Sequence, residues 1–257
     1  MKQIFKLFLF LIPCAAAAQQ LPPGLLGGML KSDSWVIRKD AQQEEFKGNV
    51  SYDSGLYKLK SDYALSDRAK NTFTLDGNVY LMNKDTAGAM TELYSKNAVF
   101  NTLTQQGRAA AYPQKPLQIF YTVPDIYKVE AQGKTLNIDG KKQTLELKDN
   151  VKIKYTEPYD FALAFADTAF IDRAKNTARL TGNAELDNKN YTARAEDIFY
   201  DGAAGLITVT GNYPLFTMVN DDASAALQSD KVTVNTVTKN VEASGRISGW
   251  VAPKQTK

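Results

Sequence analysis

The chain has 257 residues, enough for one large domain or two small ones, and is 44% hydrophobic and 23% charged. It contains no histidine, and its one cysteine is Cys14. That excludes a Ser-His or Cys-His nucleophile pair, a histidine general base and the usual zinc or copper sites. The 31 Lys and Arg against 28 Asp and Glu leave a formal charge of +3, too small to mark a nucleic-acid binder.

Residues 1–18 have the layout of a secretory signal peptide. Lys2 and Lys6 lie near the start, residues 7–12 form an apolar run, Pro13 breaks it, and Ala16, Ala17 and Ala18 supply the small residues before cleavage. The run is too short for a membrane span, which needs about 20 apolar residues. Cleavage before Gln19 sends the mature chain to the periplasm and removes Cys14 and two lysines, leaving 29 basic against 28 acidic residues. Lipidation of Cys14 is the lesser alternative, because proline stands where a small residue usually precedes a lipidated cysteine. Residues 19–33 then read as a flexible lead-in, 34–250 as the folded region and 251–257 as a polar tail.

The folded region repeats one unit. Residues 67–81 read DRAKNTFTLDGNVYL and residues 172–186 read DRAKNTARLTGNAEL, identical at ten of fifteen positions. Weaker copies are marked by Gly48-Asn49, Gly77-Asn78, Gly107-Arg108, Asp149-Asn150, Gly182-Asn183, Gly211-Asn212 and Gly245-Arg246, spaced 29, 30, 42, 33, 29 and 34 residues apart. Ten residues before five of these pairs stands Asp67, Asp139, Asp172, Asp201 or Asn235, residue types that cap tight turns.

Positions two and four residues to either side of each marker are apolar in 25 of 28 cases, and the interleaved positions in 2 of 28. Such alternation is a β-strand with one buried face. Glycine in mid-strand signals a bulge or a close approach by another group. About seven β-hairpin units, or roughly fourteen antiparallel strands, follow. Residues 112–130, with Pro113, Pro116 and Pro124, form a waist in which Ile119, Tyr121 and Val123 still alternate.

Units such as Ser61-Asp62-x-Ala64-x-x-Asp67 followed by Asn71-Thr72-x-x-Leu75-x-Gly77-Asn78-Val79 resemble the OstA-like family, periplasmic lipopolysaccharide-transport proteins of the LptA and LptC type. Similar pieces recur at Ala166-Asp167-x-Ala169, Ala195-Glu196-Asp197-Ile198 and Ser229-Asp230-Lys231-Val232, so the likeness covers about residues 45–250. The resemblance implies an all-β, open V-shaped jellyroll whose apolar interior holds the acyl chains of lipopolysaccharide. It also implies protomers stacked edge to edge into head-to-tail oligomers and bridges, with the soluble LptA-type bridge nearest in layout. On this reading the candidate groove is Phe46, Val50, Phe73, Leu75, Val79, Leu81, Leu147, Val151, Leu180, Leu186, Val209 and Leu215. No cofactor, metal, catalytic residue or nucleic-acid partner is expected.

Two other classes compete. A structural β-solenoid or adhesin would make each unit of about 30 residues a rung. A polysaccharide-processing enzyme could work with carboxylates alone, but most of them recur as turn caps, and Asp125, Glu157 and Asp160 form no recognisable pair. Arg108, Lys128, Lys141, Lys142, Arg194 and Arg246 are candidate rim cations, and Trp35 and Trp250 mark the two ends of the repeats.

Overall fold

A computed structural model describes residues 28–158, 160–219 and 223–253, so the expected signal peptide and Cys14 lie outside the described residues. Every described element is a β-strand, and all belong to one antiparallel sheet. The chain crosses this sheet back and forth. Its first crossing is split between β1 (Met29–Lys31) and β2 (Ser34–Arg38). Four unbroken strands follow: β3 (Gln43–Asp53), β4 (Tyr57–Asp67), β5 (Thr72–Lys84) and β6 (Met90–Asn101). The waist consists of two split crossings, β7 (Gln106–Ala110) with β8 (Leu117–Val123), and β9 (Tyr127–Gly133) with β10 (Thr135–Asp139). Next come β11 (Thr144–Glu157), β12 (Asp160–Asp172), β13 (Thr177–Asn188) and β14 (Tyr191–Asp201), again unbroken. The last three crossings are split: β15 (Leu206–Thr210) with β16 (Leu215–Val219), β17 (Ala223–Gln228) with β18 (Lys231–Asn235), and β19 (Val241–Ser244) with β20 (Ser248–Pro253). That makes fourteen crossings among the described residues. β1 occupies part of the expected lead-in, and β20 runs past the expected end of the folded region.

Each crossing pairs with the one before it, and the long strands slip register at one place only. The slips fall between Lys47 and Val50, Lys60 and Tyr63, Asp76 and Val79, Lys148 and Val151, Phe165 and Thr168, and Thr181 and Ala184. They line up across the sheet with the breaks in the split crossings and form a bend. A bulge with left-handed residues turns a strand sharply. Gly77-Asn78 has φ of 73° and 48°, Gly182-Asn183 74° and 45°, and Asp149-Asn150 64° and 55°. Outside glycine, asparagine and aspartate tolerate this region best.

The bend divides the sheet into two arms. Side chains buried to 0–3% stand on one face of nearly every crossing, and the described residues offer no helix or second sheet to cover them. The sheet covers itself: the two arms fold face to face as a V-shaped jellyroll around one continuous core. The antiparallel pairing throughout removes the solenoid alternative, in which successive rungs stack in parallel.

One arm ends in the turns that the recurrent Asp was expected to cap. Asp67 Oδ1 accepts from Lys70 N at 3.0 Å, Asp139 Oδ1 from Lys142 N at 2.9 Å, and Asp172 Oδ1 from Lys175 N at 3.0 Å. Asp201 and Asn235 do the same for their turns. So does Asn101, which the compressed spacing near Gly107 concealed. Four residues after the cap, Asn71, Gln105, Gln143, Asn176, Gly205 and Lys239 are left-handed. The carbonyl of that residue accepts from the next turn: Thr102 N to Asn71 O at 2.8 Å, Gly140 N to Gln105 O at 2.8 Å, Arg173 N to Gln143 O at 3.0 Å. The sheet ladder therefore continues around the turns of this capped arm.

At the bend, a Cβ on Gly182 would lie 2.2 Å from Asp167 Oδ2, in a backbone conformation that alanine resists. Gly182→Ala should lower stability by about 1–3 kcal/mol in urea denaturation, and Asp167→Ala in the same chain should restore only the part due to the clash. The Gln43 amide holds the Asp67 carboxyl below the usual range, and the Lys142 N–H does the same for Asp139. A depressed folded pKa stabilises above the unfolded value of about 4 and loses that stability as pH falls through the folded value. Asp67→Asn with Asp139→Asn should therefore flatten the acid limb of the stability curve; an unchanged limb would show that these bonds do not persist in solution.

Candidate functional site

Two rows of side chains, one from each arm, face each other across the interior. On the capped arm the register aligns Trp35, Phe46, Ala64, Leu75, Ala98, Ala109, Leu136, Leu147, Ala169, Leu180, Ile198, Val209, Val232 and Ala243. On the other arm it aligns Leu30, Tyr52, Leu59, Leu81, Leu93, Ile119, Ala131, Ile153, Ala164, Leu186, Ala193, Phe216, Leu227 and Gly249. Neither row holds a charged residue. Thirteen steps at about 4.8 Å give an apolar interior about 60 Å long.

Five of the twelve candidate groove residues, Phe46, Leu75, Leu147, Leu180 and Val209, lie in the first row, and Leu81 and Leu186 in the second. Val50, Val79 and Val151 follow the bend, opposite Ser61, Ser95 and Ala166. Phe73 sits nearer the mouth, between Ser66 and Phe100. Nine of the twelve are exposed by 3% or less; Phe73, Leu81 and Leu215 are half-buried.

Leu215 needs correcting. It pairs with Arg194 and Gln228 on the outer parity, and its neighbour Phe216, 5% exposed, points inward. The cause is Tyr213: with φ of 55° it adds a third left-handed residue to the Gly211-Asn212 bend and shifts the parity by one.

Counting only from the markers also left the first strand of each unit out of the candidate groove. Ala162, Ala164, Ala166 and Ala169 line β12 at 0–6% exposure, opposite the larger Leu147, Ile153 and Tyr155 of β11. The alternating alanines were the available signal.

Tyrosines line the inner mouth of the second arm, here the tyrosine arm. Tyr127 stacks on Tyr155 at 5.6 Å and meets Tyr121 at 5.8 Å, and Tyr191 stacks on Phe216 at 5.9 Å. Burial pushes the phenols of Tyr127, Tyr155 and Tyr191 up, so they stay neutral. Each presents an apolar ring and a polar tip, as suits a boundary between apolar interior and water. Tyr155 donates to Glu157, which pairs across its hairpin with Asp160, while Asp160 accepts from Phe161 N at 2.7 Å.

At the two edges the interior is unfinished. Trp35 and Ile37 on β2 are 57% and 54% exposed and Val251 on β20 is 73% exposed, though all three stand on the inner parity. Trp35 stacks on Phe46, with ring centroids 5.5 Å apart.

No protein-family model matches the sequence. No curated protein matches it either. Among solved structures, LptH of Pseudomonas aeruginosa, described as the LptA-homologous periplasmic component of the lipopolysaccharide transport device, aligns with 88% of this chain and 95% of its own. The identity is 12% and the TM-score 0.22. At that score the two chains do not superpose as wholes, and nothing about fold or function is carried over from it.

The parity is testable without a ligand. Leu180→Ala should cost about 2–5 kcal/mol by leaving a cavity, and Thr181→Ala, one residue along and facing out, should stay within about 0.5 kcal/mol in the same denaturation assay.

Proposed function

We propose that this chain is a non-enzymatic periplasmic lipid carrier whose two arms hold acyl chains between them. The observation that supports this reading is the pair of apolar rows, uncharged from one edge of the sheet to the other. Each methylene moved from water into such an interior contributes about 0.8 kcal/mol, so a passive channel suffices, with direction supplied at its ends. Side chains fill the interior. Lipid enters by parting the arms at the tyrosine-lined mouth, where the phenols meet the polar head. The resemblance to the OstA-like family makes lipopolysaccharide the proposed cargo and bridging to the outer membrane the proposed task.

The unpaired edges support stacking. An exposed strand edge recruits a further strand unless it is blunted, and the even number of crossings makes the joint antiparallel like every other. β19 and β20 of one copy would meet β2 and β1 of the next, with Ala243 beside Trp35 and Ser244 beside Ser34. Such a contact is heterologous and non-closing, so it builds filaments.

Two measurements bear on the proposal. Photo-crosslinking residues at Leu75 and Leu180 should capture lipopolysaccharide in cells, while those at Thr74 and Thr181 should not, because one step reverses the face. Equal capture at both parities, or none, would remove the carrier reading. Ser34→Cys with Ser244→Cys should give a concentration-dependent ladder of disulfide-linked oligomers under oxidation, and a strict monomer would rule out the bridge.

A further inference from the structure

The hydrogen-bonded turns of the capped arm form a continuous ridge with a surface that the fold does not require. The turns need only a cap and a left-handed residue. Asp67 and Asp172, which cap two of them, are buried at 3% and 7% exposure. The cations between cap and left-handed residue project instead: side chains of Arg68, Lys70, Lys142 and Lys175 are 71%, 74%, 77% and 77% exposed, although Arg68 pairs with Glu44 and the three lysines with their caps Asp67, Asp139 and Asp172. Lys141 and Arg173 are exposed as well. Except for the exposed Asp40 in the first turn, carboxylates thus lie inside the hairpins and positive charge lies outermost, in turns about 10 Å apart.

A second feature lies along the same line. The apex residue, two positions before the left-handed one, is apolar in five turns: Ala69, Leu103, Ala174, Ala203 and Val237. Leu103 is 65% and Val237 77% exposed. The ridge therefore presents apolar tips with basic shoulders. The turns of the tyrosine arm also expose apolar residues, Leu56 at 45% and Ile126 at 57%, but differ in charge: Asp53, Asp85, Asp125, Glu157 and Asp160 stand there against Lys84 and Lys189 among the described residues.

We propose that the capped-arm ridge is a docking surface for an anionic phospholipid bilayer. Its cations meet lipid phosphates while Leu103 and Val237 enter the headgroup layer, and the acidic turns of the other arm are repelled. The molecule then lies on the membrane along one arm with its mouth beside the bilayer surface. None of these residues faces the interior, so the inference does not rest on the carrier reading.

The test is co-sedimentation of the purified chain with vesicles. Binding is expected to vesicles of phosphatidylglycerol and phosphatidylcholine in equal parts, and not to pure phosphatidylcholine. It should disappear in about 1 M salt, where the screening length falls to about 3 Å. Each cation near an anionic surface contributes about fivefold, so Lys70→Gln, Lys142→Gln and Lys175→Gln together should weaken partitioning about a hundredfold. Leu103→Ser with Val237→Ser should weaken it further, with circular dichroism confirming that both variants fold. No binding, equal binding to neutral vesicles, native-like binding by the triple variant, or capture by soluble dextran sulfate but not by vesicles would each overturn the proposal.

Discussion

A carboxylate oxygen fills the space that a glycine leaves empty, and the rest of the molecule depends on that fit. Asp33 stands over Gly48, Asp62 over Gly77, Asp167 over Gly182 and Asp230 over Gly245, and a Cβ on any of these glycines would lie 2.2–2.3 Å from the acid. The residue after the glycine completes the contact: Asn49, Asn78 and Asn183 donate their side-chain amides to the same carboxylates at 2.9, 2.9 and 3.1 Å, and Arg246 donates its backbone N–H and guanidinium to Asp230. Each lock joins two successive crossings at the bend. Without bends the sheet would be flat with one apolar face in water; with them it folds onto itself and needs no other layer.

The locks give way at the waist. Lys96 and Lys134 occupy the positions that carboxylates hold elsewhere, and Ala111 stands fifteen residues after Lys96 where other locks have glycine, while Gly107 lies inside β7 away from the bend. Tyr112 reaches back there to Asn78, accepting its N–H at 2.8 Å and donating to its Oδ1 at 3.1 Å. Pairing continues regardless, because Ala109 meets Leu136 and Ile119 meets Ala131 in the two rows. The apolar register outlasts the motif that usually sets it.

The same distinction explains what could be read from the sequence. Alternation around the glycines was legible because parity survives a two-residue left-handed bend, as Phe46 and Val50 on either side of Gly48-Asn49 show. Turn caps were legible because Asp and Asn recur there for one local reason. Leu215 was misplaced because a third left-handed residue, Tyr213, leaves no trace in composition. The carboxylate–glycine contacts were seen only as repeating letters, since the partners lie 15 residues apart on different strands. Which row faces which across the V was not legible either: register is a pairwise property, and the meeting of the two arms is fixed by the bend.

Because every lock spans two crossings and both crossings run antiparallel, the molecule is modular in pairs. Inserting or removing one pair leaves the first and last strands, their directions and their exposed side chains unchanged. Length can then change in steps of about 10 Å without altering the contacts made at either end. The similar segments 105 residues apart are six crossings, or three such steps, from one another. A gene encoding this fold can be lengthened by copying whole units in place, and the spacing between whatever binds its two edges would lengthen with it.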